Sequence, residues 1–203
     1  KFIGLATEDE AILAAEIRRD KGVFQVLHSK SFTLPEGQSY KDPESLGRTL
    51  GRFLKENGFS ARKAVIGIPA KWLMIREKIV PSASAQNIAG ILKIHAEREF
   101  SLSPDELALD YTGLAPNNGP NRVFLHAVLK ANLERITLAV RWAGLDVLSV
   151  TVTSPALFSL LRAVVLPPAP RYFLYVREDY AEFLAMNEGQ TFDLRHIQAD
   201  IQK

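Results

Sequence analysis

His95 and Glu99 stand four residues apart in a stretch of helical periodicity, with Ile88, Ile91, Leu92 and Ala96 marking its apolar face. That spacing sets an imidazole and a carboxylate on one side of a helix, where they can bind a metal ion or form a solvated i,i+4 pair. A metal would need a third ligand at compatible spacing. None is evident, because His28, His126 and His196 sit singly in strand-like segments. The solvated pair is the simpler reading, and no metal is expected. No G-x-S-x-G elbow marks a nucleophilic serine, and neither G-x-x-x-x-G-K nor G-x-G-x-x-G is present to cradle a phosphate. With no cysteine there is no thiolate metal site, no cysteine nucleophile and no disulfide framework. Arg62, Lys63, Lys71, Arg76 and Lys78 form a basic neighbourhood in sequence. Without interleaved aromatics it reads as solvated strand edges rather than a phosphate-binding patch. Trp72, between Lys71 and Leu73, reads equally as a core anchor or a recognition residue.

Composition excludes several classes. The 203 residues are 47% hydrophobic and 24% charged, enough to bury a core and unlike a disordered chain. Basic and acidic side chains nearly balance at a net charge of +2, so no broad field draws nucleic acid or an anionic membrane, and neither is expected as a partner. The most apolar stretch, Ser154 to Leu166, is shorter than the roughly 20 residues of a membrane span and carries Arg162, so it reads as a buried helix. No basic-then-apolar leader opens the chain, and the start without Met reads as an excised fragment, which leaves a membrane anchor elsewhere in the parent protein open; the lack of cysteine suits a cytosolic location.

The elements that must position these side chains follow from the apolar pattern. Phe2 to Ala6, Ala11 to Ile17 and Val23 to His28 read as three antiparallel strands, with Gly22 in a turn and with Phe24, Val26 and His28 on one side. Asp42-Pro43-Glu44 opens a helix whose apolar face is Leu46, Leu50, Phe53 and Leu54, closed by Asn57-Gly58. Ala64 to Ile68 reads as a strand buried on both faces. A strand from Trp72 to Val80, a helix from Ser84 to Phe100 and strands at Glu106 to Leu114 and Arg122 to Leu129 follow, the last two flanking a hairpin composition at 116–121. A helix from Asn132 to Ala143, a strand from Asp146 to Val152 and a helix from Ala156 to Val165 complete the body. Leu166-Pro167-Pro168-Ala169-Pro170 reads as a linker before strands at Tyr172 to Val176, Ala181 to Met186 and Phe192 to Ile197, the last two around the turn Asn187 to Gln190. This is a mixed α/β order, and the antiparallel opening excludes an uninterrupted Rossmann alternation.

In this order and spacing the chain resembles the PilM proteins of type IV pilus assembly, relatives of the division protein FtsA and of actin. Ile3 to Ile17, I-G-L-A-T-E-D-E-A-I-L-A-A-E-I, is similar without a gap to the family's opening I-G-(I/L)-D-I-G-S-S-S-(V/I)-K-x-V-E-(L/I). A-V-I-G-I-P from Ala64, M-I-R-E-K-I-V-P from Met74, Ala96 to Phe100 with Leu109-Asp110-Tyr111, Trp142 to Leu145 and Ser154 to Leu157 match further segments. The resemblance implies an α/β fold: an actin-like (ribonuclease H-like) subdomain, an inserted small α+β subdomain and the first strands of a second actin-like domain. The implied boundaries are 1–70 and 146–166 for the actin-like subdomain, 71–145 for the insert, and 167–203 for the linker and second domain.

The departures bear on function. In actin-like ATPases the first loop carries an Asp for metal and water and a Gly that lets backbone N–H groups reach phosphate. Here Ala6 and Glu8 occupy those positions around Thr7, Leu13 replaces a usual Lys, and Asp9 and Glu10 add charge that repels phosphate. The second phosphate loop should be D-I-G, and its slot holds Tyr175, Val176 and Arg177. With both loops degenerate the resemblance implies a pseudo-ATPase: no catalysis, no cofactor and no nucleotide. The alternative is a phosphotransferase or ATPase of the same superfamily using Asp9 as a displaced metal ligand. The family likeness implies instead a binding module of a bacterial pilus or type II secretion apparatus, cytoplasmic at the inner face of the inner membrane, holding the cytoplasmic tail of an inner-membrane assembly protein. The implied groove lies between core and insert, with apolar walls from Trp72, Leu73 and Ile75 and a basic rim from Lys71, Arg76 and Lys78.

Overall fold

The computed structural model describes residues 1–81, 85–113, 121–164, 172–177, 180–187 and 190–198. Their elements, in chain order, are β1 (Phe2–Thr7), β2 (Ala11–Asp20), β3 (Val23–Thr33), α1 (Pro43–Glu56), β4 (Lys63–Ile68), a helical turn (Ala70–Trp72), β5 (Met74–Val80), α2 (Ala85–Glu99), β6 (Leu107–Thr112), β7 (Asn121–Leu129), α3 (Lys130–Trp142), β8 (Asp146–Val152), α4 (Thr153–Val164), β9 (Tyr172–Val176), β10 (Tyr180–Asn187) and β11 (Gln190–Gln198). They form two compact units, Lys1–Pro69 with Ala131–Thr153, and Ala70–Lys130 with Ser154–Lys203. The expected hairpin composition at 116–121 and linker at 166–170 lie outside the described residues, apart from Asn121, as do residues 188–189 of the last turn.

In the first unit, five strands run in the order β3-β2-β1-β4-β8. β1 pairs antiparallel with β2 and parallel with β4, which pairs parallel with β8. The expected antiparallel meander is present. Period-two alternation buries Ile3, Leu5, Ile12 and Ala14 on one face, where Phe32 of β3 meets Phe53 of α1 with ring centroids 5.2 Å apart. α1 starts where Asp42 Oδ1 accepts the Ser45 N–H at 3.1 Å. It stops at Gly58, whose φ of +81° lets the Phe59 N–H reach back to the Leu54 carbonyl at 3.0 Å.

Three local expectations change. β3 carries a bulge against Glu16 and Ile17, so Val26 lies opposite Ile17 and His28 opposite Glu16. His28 therefore sits on the other face from Phe24 and Val26, because the extra residue flips the alternation. β4 is not buried on both faces: Ala64, Ile66 and Ile68 are buried while Val65 and Gly67 are half-buried. Trp72 does not open a strand; it ends a helical turn, and β5 begins at Met74.

The second unit holds two three-stranded sheets, β5-β7-β6 and β9-β10-β11. α2 covers one face of the first, with Ile88, Leu92 and Ala96 buried against Val80, Val123 and Leu125. Phe158 of α4 is fully buried against Leu184 of the second, with Phe173 and Leu194 around it. β5 thus belongs to a sheet separate from β1, but the second helix of the 71–145 segment does not stay with that sheet. α3 packs in the first unit against α1. A Cβ built on Gly47 would fall inside contact distance of the Ala139 carbonyl and the Trp142 Cβ, and one on Gly51 would lie 2.9 Å from the Ala143 carbonyl. Two glycines one helical turn apart let the backbones of α1 and α3 approach.

This packing fixes the effect of a methyl group. Gly47→Ala gains about 1 kcal/mol of helix propensity but meets backbone that cannot withdraw, an overpacking cost of about 1–3 kcal/mol or more. A net loss of stability is expected. Gly90→Ala, exposed in α2 with no atom within 4 Å of the new Cβ, should gain about 0.5–1 kcal/mol. Urea midpoints check both, and a Gly47→Ala variant as stable as the parent would refute the close α1–α3 approach.

Candidate functional site

The first candidate loop, between β1 and β2, is closed by its own chain. Thr7 is 2% exposed and its hydroxyl donates to the Gly67 carbonyl at 3.0 Å. The Glu8 N–H donates to the Ala11 carbonyl at 2.9 Å, and the Leu34 N–H to the Glu10 carbonyl at 2.8 Å. Tyr40 donates its hydroxyl to the Glu8 carbonyl at 2.7 Å. Burial, then the carboxylates of Asp9 and Glu8, push that phenol above its ordinary value of 10.0. Ala6, half-buried, pairs with Leu13 and Gly67 and offers no side chain to a metal. Asp9 and Glu10 stand exposed at the turn. Anionic side chains and engaged backbone at this turn are the opposite of a phosphate cradle.

The second candidate loop belongs to the other unit. Tyr175 and Val176 are ladder residues of β9, opposite Glu182 and Ala181 of β10. The Arg177 N–H donates to the Tyr180 carbonyl at 2.8 Å.

The residues expected to form the groove's apolar walls and basic rim lie on the helical turn and on β5. The helical turn bearing Trp72 is fixed by Glu182, a carboxylate 1% exposed, whose Oε1 accepts the Ala70 N–H at 2.9 Å. Trp72 and Leu73 are half-buried, with the Leu73 N–H donated to the Ala70 carbonyl at 2.9 Å. Along β5, Met74, Arg76, Lys78 and Val80 alternate with Ile75, Glu77 and Ile79. The first set faces α2. The Arg76 guanidinium lies 5.6 Å from the Phe100 ring centroid, and the Lys78 ammonium pairs with the Glu99 carboxylate. The hydrogen bond from Lys78 holds the Glu99 carboxyl below its ordinary value of 4.5. Glu99 thus serves Lys78, and among the described residues no group of three His, Asp or Glu side chains is placed to hold a metal. Ile75 lies on the opposite face with the exposed Ile79, and across from Ile75 stands His126, whose Nε2 is 2.9 Å from the Thr112 hydroxyl.

Motif spacing in the sequence does not single out Glu182 or Glu16, and His126, there a lone strand histidine, gains its partner Thr112 only through strand pairing. The carboxylates had a readable signal: Glu16 shares strand parity with Ile12 and Ala14, and Glu182 with Leu184. A charged residue on the apolar side of a strand must find a partner.

The sequence matches no protein-family model and no curated protein. Solved structures do share its fold. A chain of the PilM–PilN type IV pilus biogenesis complex superposes with a TM-score of 0.83 at 19% identity, over 97% of this chain and 61% of that one. The cytoplasmic domain of EpsL, an inner membrane component of the type II secretion system of Vibrio cholerae, gives 0.58 at 12% identity, over 99% and 71%. A Bacteroides thetaiotaomicron protein with an actin-like ATPase fold gives 0.53 at 12% identity, over 98% and 70%. The chain therefore has the actin-like ATPase fold, of the kind seen in the PilM–PilN complex. It spans 61% of the length of that structure.

His126 gives the small sheet a pH dependence. Burial pushes its imidazole below the ordinary 6.5, against a raising pull from Asp110. The unfolded chain then binds the proton more readily than the folded one. The contribution of His126 to stability should be fully present above about pH 7, be lost as pH drops through about 6.5, and level off below the lowered folded value. Urea midpoints against pH check this: His126→Gln should remove part of the slope, and an unchanged slope would assign it elsewhere.

Proposed function

We propose that this chain is a non-catalytic actin-like binding module of a type IV pilus or type II secretion assembly apparatus, working at the cytoplasmic face of the inner membrane. Its partner is the cytoplasmic tail of an inner-membrane assembly protein. The observation that carries this reading is the closed, acidic β1–β2 turn. An actin-like fold whose first loop spends its backbone on Ala11 and Tyr40 and presents Asp9 and Glu10 keeps the scaffold without the phosphate site. The likeness to a pilus biogenesis complex and to an inner-membrane secretion component supports the setting.

The place for the tail is β5 and the turn before it. Among the described residues β5 pairs with β7 alone and is an edge strand of its sheet. Such an edge accepts an extended segment as a further strand. The alternation of β5 then sets the chemistry of the tail: apolar residues beside Ile75 and Ile79, acidic ones at intervening positions beside Arg76 and Lys78, and one apolar anchor against Trp72 and Leu73. Trp72 should carry much of the affinity, and Arg76 should tune association rate and salt dependence.

The test is a titration of a synthetic cytoplasmic tail of the inner-membrane partner encoded beside the parent gene. Trp72→Ala should cost about 2 kcal/mol or more, about thirtyfold in Kd. Arg76→Glu should slow association and reduce its dependence on salt. Two folded variants that bind the tail as tightly and as fast as the parent would place the tail elsewhere.

A further inference from the structure

The net charge of +2 conceals a local concentration. β2 and β3 run on past the first residue of β1: Phe2 pairs with Ile17, and beyond it Arg18, Arg19 and Asp20 pair only with Gln25, Phe24 and Val23. The hairpin tip is a two-stranded ribbon outside the five-stranded sheet. It carries Arg18, Arg19 and Lys21, all exposed, against the single carboxylate of Asp20. It also carries three of the most exposed apolar side chains among the described residues: Val23 at 70%, Phe24 at 61% and Val26 at 61%. Packing does not explain them, since a ribbon two strands wide has no core. Strand alternation places Phe24 and Val26 on one face, where the Arg19 guanidinium lies 5.6 Å from the Phe24 ring centroid. The turn itself holds Lys21 at φ 45°, followed by Gly22 at φ 86°. Hairpin turns of this kind favour Asn, Asp or Gly at the first position. A lysine there sets an ammonium at the far end of the ribbon.

We propose that the β2–β3 tip is a peripheral contact with an anionic lipid surface. Phe24, Val26 and Val23 enter the headgroup boundary while Arg18, Arg19 and Lys21 meet lipid phosphates. An aromatic side chain flanked by cations suits a membrane interface, where the ring sits at headgroup level and cations gain from anionic lipid. An acidic protein surface would satisfy the cations, but it would not account for apolar side chains on both faces of a ribbon, which a fluid, apolar boundary surrounds. This contact is distinct from the tail-binding edge on β5 and does not depend on it.

The test is co-sedimentation of the chain with vesicles of phosphatidylcholine alone and of phosphatidylcholine with phosphatidylglycerol, at low and high salt. The parent should bind the phosphatidylglycerol vesicles and release with salt. The double variant Arg18→Glu, Arg19→Glu should partition at least about tenfold less, and Phe24→Ser should partition less at every salt concentration. These positions are exposed, so unchanged thermal melts should accompany both losses. A parent that does not prefer phosphatidylglycerol vesicles would overturn the proposal. So would a Phe24→Ser variant that binds as the parent does, which would leave only unspecific attraction of charge.

Discussion

The buried hydroxyl of Thr7, donated to the carbonyl of Gly67 at 3.0 Å, ties the end of β1 to the end of β4. Much of the first unit follows from that tie. It fixes where β1 stops and therefore where the turn to β2 must close. Gly67 must also stay bare, since a Cβ there would lie 2.7 Å from the hydroxyl oxygen of Thr153, the first residue of α4 just past β8. The tails of three neighbouring strands thus converge on one glycine. A loop built to receive phosphate would leave its backbone N–H groups pointing outward. Here the Glu8 N–H is taken by the Ala11 carbonyl and the Glu8 carbonyl by the Tyr40 hydroxyl.

Two buried carboxylates fix the chain on either side of β4. Burial opposes the charge on Glu16, but the Ser60 N–H at 2.7 Å, the Ser60 hydroxyl at 2.9 Å and the Lys1 ammonium outweigh it and hold the carboxyl below its ordinary 4.5. Glu182 does the same service after β4 by accepting the Ala70 N–H. Each spends a carboxylate on a backbone donor in irregular chain, where no ladder supplies an acceptor. Glu99 is held instead by Lys78.

Much of this was legible in the sequence, for local reasons. Asp42-Pro43 and Gly58 bound α1 because capping chemistry is local, and the limits of β8 follow from its short apolar run after Gly144. The order of strands and helices and its likeness to the actin-like fold were readable along the whole chain. What escaped depends on pairing and packing. The bulge opposite Glu16 and Ile17 is a property of two strands together, so the face of His28 could not be read from β3 alone. The home of α3 rests on Gly47 and Gly51, four apart on α1, a spacing visible in the sequence whose partner is not. The expected apolar walls and basic rim are contiguous in sequence, and strand alternation puts Ile75 on one face of β5 and Arg76 and Lys78 on the other.

The non-catalytic role proposed for this scaffold requires that it bind no nucleotide. A thermal melt in Mg²⁺ with increasing ATP tests it most directly. Any nucleotide present at about 100 times its dissociation constant adds about 2.7 kcal/mol to the folded state, a shift of several degrees for a chain of this size. The closed, acidic turn predicts a midpoint that does not move at millimolar ATP. A shift that grows with ATP, saturates and requires Mg²⁺ would contradict the account.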